Sequence, residues 1–129
     1  MSETTAATRH AVTWFEIPTA DFDRARRFYE AILETTLNEH PFGDGRIAVF
    51  AHDEAGVGGC LQERCANRPG ESGIVIYLDV TGRLDRTLAL VPAAGGSVRL
   101  PKTALPPGMG WLAQLVDSEG NRIGLHSST

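Results

Sequence analysis

Cysteine is scarce in this chain, and its scarcity removes several classes of protein. Cys60 and Cys65 are the only two, five positions apart beside an expected strand, with no second pair to complete a zinc site. They read as reduced thiols of a cytoplasmic protein rather than as a disulfide framework. Runs of positive charge are also missing. The twelve Lys and Arg are scattered, apart from Arg24, Arg26 and Arg27, and the net charge is −4, so neither nucleic acid nor a membrane surface is expected as a partner. The arginine trio reads as a solvated helix face. No apolar run reaches the roughly 20 residues that span a bilayer. Residues 1–9 are small and polar without the apolar centre of a signal peptide, so they are expected to form a disordered leader.

What is present is enough apolar material for one domain: 129 residues, of which 42% are hydrophobic. Residues 11–18 alternate as a strand should, with Thr13, Phe15 and Ile17 on one face and Val12, Trp14 and Glu16 on the other. Asp21 or Asp23 then caps a helix whose Phe22, Ala25, Phe28, Tyr29 and Ile32 recur at helical spacing. A hairpin is expected over residues 35–52 around Gly43-Asp44-Gly45, followed by a strand over 57–64. Its paired Gly58 and Gly59 mark either a bulge or a backbone that something approaches closely. Residues 65–72 have the polar, Pro/Gly character of a linker.

The second half repeats this plan. A strand is expected over 73–80, with Ile74, Ile76, Leu78 and Val80 on one face and Val75, Tyr77 and Asp79 on the other. A helix carrying Leu84, Leu88, Ala89 and Val91 should end at Pro92–Gly96, and strands follow over 97–105, 111–116 and 122–127. Residues 101–110 form a Pro/Gly-rich stretch that either closes over a cavity or simply connects two strands. The order strand, helix, three strands thus appears twice, in a module over 10–64 and another over 73–129. Two helices are too few for a doubly wound parallel sheet, so the fold class is α+β: two βαβββ modules forming curved, mostly antiparallel half-barrel sheets.

Phe15-Glu16-Ile17-Pro18 leading through Asp21 to Arg24-Ala25 and Phe28-Tyr29, Gly95-Gly96 behind the second helix, and the turn Asp117-Ser118-Glu119-Gly120-Asn121 carry a resemblance. Together they resemble the vicinal oxygen chelate superfamily, the glyoxalase, bleomycin-resistance and extradiol-dioxygenase group, over nearly all of the chain. The resemblance implies a homodimer, and a divalent metal held by His, Gln or Glu facing a cavity. Counted from the turns, the family's ligand positions fall on Trp14, the Gly58–Leu61 region, Val75 and Gly124, none of which supplies an expected ligand. No cofactor is therefore expected, and a divalent metal is disfavoured.

Polar groups remain beside those positions. Glu16, Asp79 and His126 lie two residues beyond Trp14, Tyr77 and Gly124, so strand alternation points them the same way. Glu16 and His126 are the candidate catalytic pair, one polarising or deprotonating a small ligand. The competing reading makes Glu16 a rim residue paired to an arginine and His126 a half-exposed residue near the end of the chain. Trp14, Val75 and Tyr77, joined by Phe50 and Trp111, supply flat apolar walls for a small-molecule ligand, with Glu16, Asp79 and His126 as polar anchors. Two functions stand side by side: a metal-free binding protein, or an isomerase-, lyase- or dioxygenase-like enzyme using Glu16 and His126 as base or in a relocated metal site.

Overall fold

Phe15 and Ile17 turn inward and Trp14 and Glu16 outward on strand β1 (Trp14–Pro18), as the alternation requires. The computed structural model describes residues 10–64 and 66–129; the leader at 1–9 and Cys65 lie outside the described residues. Strand β1 starts at Trp14 rather than Ala11 because its partner starts there: Trp14 pairs with Gly58, and residues 11–13 find no ladder. Helix α1 (Phe22–Leu33) follows, capped by the Asp21 side chain, which accepts from the Arg24 N–H at 3.0 Å. Its expected inner residues, Phe22, Ala25, Phe28, Tyr29 and Ile32, are all buried. The helix ends at Glu34 in a left-handed conformation, φ 53°, so strand β2 (Asn38–Phe42) starts three residues later than the alternation suggests. Strands β3 (Gly45–Val49) and β4 (Gly58–Gln62) complete the first sheet, in the order β1-β4-β3-β2.

The second module repeats this connectivity with the order β5-β8-β7-β6, from β5 (Tyr77–Asp79), α2 (Leu84–Ala94), β6 (Ser97–Ala104), β7 (Trp111–Val116) and β8 (Arg122–Ser127). In both sheets the first strand pairs in parallel with the last and the remaining pairs are antiparallel; neither sheet closes on itself. Strand β5 is shorter than the expected 73–80. The Arg122 N–H at the start of β8 bonds to Gly70 O, so the chain between leaves the ladder, and Ile74, expected on one strand face with Ile76, Leu78 and Val80, is 93% exposed. Helix α2 ends inside the expected 92–96 stretch and buries Leu84 and Val91 as expected, but Thr87 takes an inner place and Ala89 does not. It runs through Pro92 to Ala94. Proline is tolerated so near the end because the stop is made by Gly95, at φ 109°, whose N–H bonds to Pro92 O.

One core joins the modules: Phe28, Tyr29 and Ile32 from α1 belong to the same buried cluster as Val91, Leu115 and Leu125. The turn 117–121 locks them polar group to polar group. Asp117 accepts from the Tyr29 hydroxyl at 2.6 Å, from the Glu119 and Asn121 N–H groups and from Asn121 Nδ2. Asn121 Nδ2 also reaches Pro18 O, and the shielded Glu119 carboxylate accepts from the Ala20 and Asp21 N–H groups and from Arg24. Arg24 is therefore a clasp, and Arg26 pairs with Glu30 and Glu39; the expected solvated trio is engaged at two of its three members. No described helix is long and apolar enough to cross a membrane.

Candidate functional site

Strands β1 and β5 are edge strands of their sheets, and the space beside them is an open cleft of about 970 Å³. Its floor is apolar, with Phe15, Leu33, Phe50, Ile76 and Leu78, and its rim carries His52, Asp79 and Arg83. Phe15 and Phe50 pack with ring centroids 5.5 Å apart, and Phe50 meets Tyr29 edge-on at 5.3 Å, so this floor is continuous with the core. Arg83, just ahead of α2, donates to Leu33 O at the end of α1 and ties the two modules at the cleft wall. A second depression, of about 340 Å³, lies at the start of α2. Its charged lining is already engaged, Arg86 with Glu34, Lys102 with Asp85 and Arg83 with Leu33 O.

The glycines of β4 and β8 are what let aromatic rings settle on the sheets. A Cβ at Gly59 would stand 2.3 Å from the Phe15 ring, one at Gly58 2.7 Å from the His52 ring, and one at Gly124 2.2 Å from the Tyr77 ring. The β1–β4 ladder is regular through this region, so Gly58-Gly59 marks close approach by side chains rather than a bulge. On β8 the consequence is chemical. Tyr77 lies across Gly124, and its hydroxyl reaches Gln114 on β7 at 2.6 Å.

The expected site residues separate into three groups. Phe50, Val75, Tyr77 and Asp79 line the cleft. Trp14 and Glu16 share the outward face of the first sheet, where the Trp14 indole N–H donates to the Glu16 carboxylate at 3.3 Å; the arginine partner expected for Glu16 is replaced by this tryptophan. His126 is opposite Asp79 on β8, and its Nε2 bonds to Met109 O at 2.8 Å. The Thr81 hydroxyl and N–H hold the Asp79 carboxyl below its ordinary range, with His126 adding to the effect and partial burial opposing it. Asp79 and His126 are therefore brought together, while Glu16 stands on the other sheet.

Two aromatic placements differ from expectation. Phe50 and Trp111 were expected to join Trp14, Val75 and Tyr77 from neighbouring strands as walls of one cavity. Phe50 is instead 7% exposed on the helix side, reaching the cleft from below. Trp111 shares its side of β7 with buried Ala113 and Leu115, and its ring is covered by Lys102, which pairs with Asp85 on α2. The loop at 105–110 connects β6 to β7 and is absent from the cleft lining. Phe15, Leu33, Ile76, Leu78, His52 and Arg83 are cleft residues that pattern reading did not nominate. The paired glycines signalled His52 and Phe15; nothing local signalled Leu33 or Arg83, which meet only through module packing.

The family's sequence model, Glyoxalase/Bleomycin resistance protein/Dioxygenase superfamily, matches residues 11–125. The chain belongs to this superfamily. Among solved structures it is similar to TnmS3, an antibiotic binding protein from Streptomyces sp. CB03234, at 26% identity and TM-score 0.68, covering 97% of this chain and all of that one (100%). A glyoxalase/bleomycin resistance protein from the same Streptomyces strain is 27% identical, with TM-score 0.67 and coverage of 90% and 99%. One from Albidiferax ferrireducens T118, at 20% identity and TM-score 0.69 over 92% and 99%, shares the fold. No curated protein matches.

Superfamily membership raises the question of a metal, and the side chains present do not fit one. Trp14 and Gly124 cannot ligate, the Tyr77 ring occupies the space over Gly124, and no group of three His, Cys, Asp or Glu among the described residues is placed to hold an ion.

Proposed function

We propose that this superfamily member binds a small organic molecule in the cleft between its modules and does so without a metal. The single observation that carries the reading is the cleft itself: a large apolar recess floored by Phe15, Phe50 and Leu78, with a few convergent polar groups at its rim. The antibiotic-binding character of the 26%-identical TnmS3 supports a binding role for the same architecture. The separation of Glu16 from His126 favours binding over base catalysis by that pair, because a shared proton-transfer site needs both within reach of one ligand atom. The reading includes a homodimer, since Val12 and Ile74 leave apolar surface uncovered at the cleft. It also includes the cytoplasmic setting expected of a chain with two cysteines and no disulfide framework.

Nile red, a neutral planar dye, tests the reading. Saturable binding that survives chelator treatment and is lost in Val57→Trp, which fills the cleft, is the expected result. Stoichiometric metal in protein purified without chelator, removed together with dye binding, would overturn it.

A further inference from the structure

The hydrogen bonds on the outward face of the second sheet run in one direction. Arg122 donates from one terminal nitrogen to Glu71 at 3.0 Å and from the other to Gln114 Oε1 at 2.9 Å. A guanidinium has only donors, so it dictates which end of the Gln114 amide faces it. The carbonyl must point at Arg122 and the NH2 must point away. Gln114 Nε2 therefore donates to the Tyr77 hydroxyl at 2.6 Å, and the phenolic oxygen is the acceptor in that bond. The opposite amide orientation would set NH2 against guanidinium, donor against donor.

The phenolic proton of Tyr77 is left over. No described protein group accepts it; Tyr77 is 41% exposed and forms part of the cleft wall. One face of its ring rests on Gly124, where no side chain larger than hydrogen fits, and the residue keeps 41% of its surface exposed. Asp79 lies on the same face two residues along β5 and carries negative charge toward the same space. A flat apolar surface, an O–H whose proton no described protein group accepts and a nearby carboxylate together select a particular chemistry.

Resting on the binding reading above, we infer that Tyr77 is the polar anchor of the site: a planar, uncharged ligand stacks on its ring and accepts a hydrogen bond from its hydroxyl through a carbonyl oxygen. Gln114 and Arg122 are positioning residues, which orient that donor without touching the ligand. An anionic ligand would meet Asp79, and a hydrocarbon would leave the phenol unpaired.

Two tricyclic probes of nearly equal shape, 9-fluorenone and fluorene, differ in the carbonyl acceptor. In ligand-observed NMR titrations the chain should bind fluorenone more tightly than fluorene by roughly three- to tenfold, the usual net worth of a neutral hydrogen bond. Tyr77→Phe should remove that preference and leave fluorene unchanged. Gln114→Glu should remove it too, although Tyr77 is intact: a carboxylate still accepts from Arg122 but also takes the phenolic proton. A residue acting only on structure would not produce that result, and unchanged melting temperatures of both variants establish that the fold is retained. If both probes bind equally and Val57→Trp blocks both, the donor assignment falls and the cleft reading survives. If the preference persists in Tyr77→Phe, the donor is another group and the inference is overturned. If neither probe binds, the ligand class is wrong.

Discussion

Removing one oxygen atom should cost this protein a measurable part of its stability, because of where that atom sits. Tyr29 is 0% exposed and Asp117 3%, and the hydroxyl donates to the carboxylate at 2.6 Å across the junction of the modules. Burial, with the Asp117 charge beside it, pushes the Tyr29 phenol well above its ordinary range, so it remains a donor throughout the working pH range. In Tyr29→Phe the carboxylate keeps the Glu119 and Asn121 N–H groups and Asn121 Nδ2 but loses its shortest donor, in a place water does not reach. Hydrogen bonds to charged groups are worth about 1.5–3 kcal/mol, so a loss of about 2 kcal/mol is expected. For a domain of this size that corresponds to a fall in melting temperature of roughly 6–10 °C. Urea denaturation should show the midpoint moving with an unchanged slope, which marks a change in stability rather than in the denatured state. Tyr77→Phe is the control, since its half-exposed phenol should change stability by less than about 0.5 kcal/mol. A Tyr29→Phe loss no larger than the control's would refute the claim that this bond holds the modules together.

Acid should loosen the same junction. Burial pushes the Glu119 carboxyl upward, but Arg24, the Asp21 and Ala20 N–H groups and Ser118 together hold it below its ordinary value of 4.5. A depressed carboxylate contributes stability that is present above 4.5 and is lost as pH falls through its lower folded value, so the urea midpoint should drop on acidification below about 4.5. Glu119→Gln should be less stable near neutrality and flatter in that acid region; an equally steep profile would assign the acid loss elsewhere. The homodimer is checked by sedimentation equilibrium, where a mass of twice the 13.9 kDa chain is expected and Ile74→Glu should shift the population toward monomer. A single-chain mass at all concentrations would remove that part of the proposal.

Much of the architecture was legible because the hydrophobic period changes where the structure changes. Strands β7 and β8 occupy the expected residues, and all five inner positions of α1 are buried, because each segment's alternation or helical spacing is strong and its ends are set by turn residues. The failures have a common origin in which hydrogen bonds the partner strand offers. Residues 11–13 and 73–76 alternate as well as their neighbours do, yet a strand exists only where another supplies its hydrogen bonds: β4 begins opposite Trp14, and at the start of β8 the Arg122 N–H is taken by Gly70 O. For the site, parity correctly grouped Tyr77 with Asp79. It could not place Phe50, which lies just beyond β3, nor Trp111, whose face depends on the register of β7.

The sequence by itself determined the repeated module and the inward set of apolar side chains of the first helix. These follow from residue type and period, which are local properties. Only the tertiary structure decided that Phe15, Leu33 and Arg83 meet around one cleft, that Glu16 stands apart from His126, and that the Tyr77 ring lies over Gly124 with its hydroxyl on Gln114. Each of those facts depends on contacts between segments far apart in the chain. The packing of one module against the other sets the first two, and strand pairing within the second module sets the third.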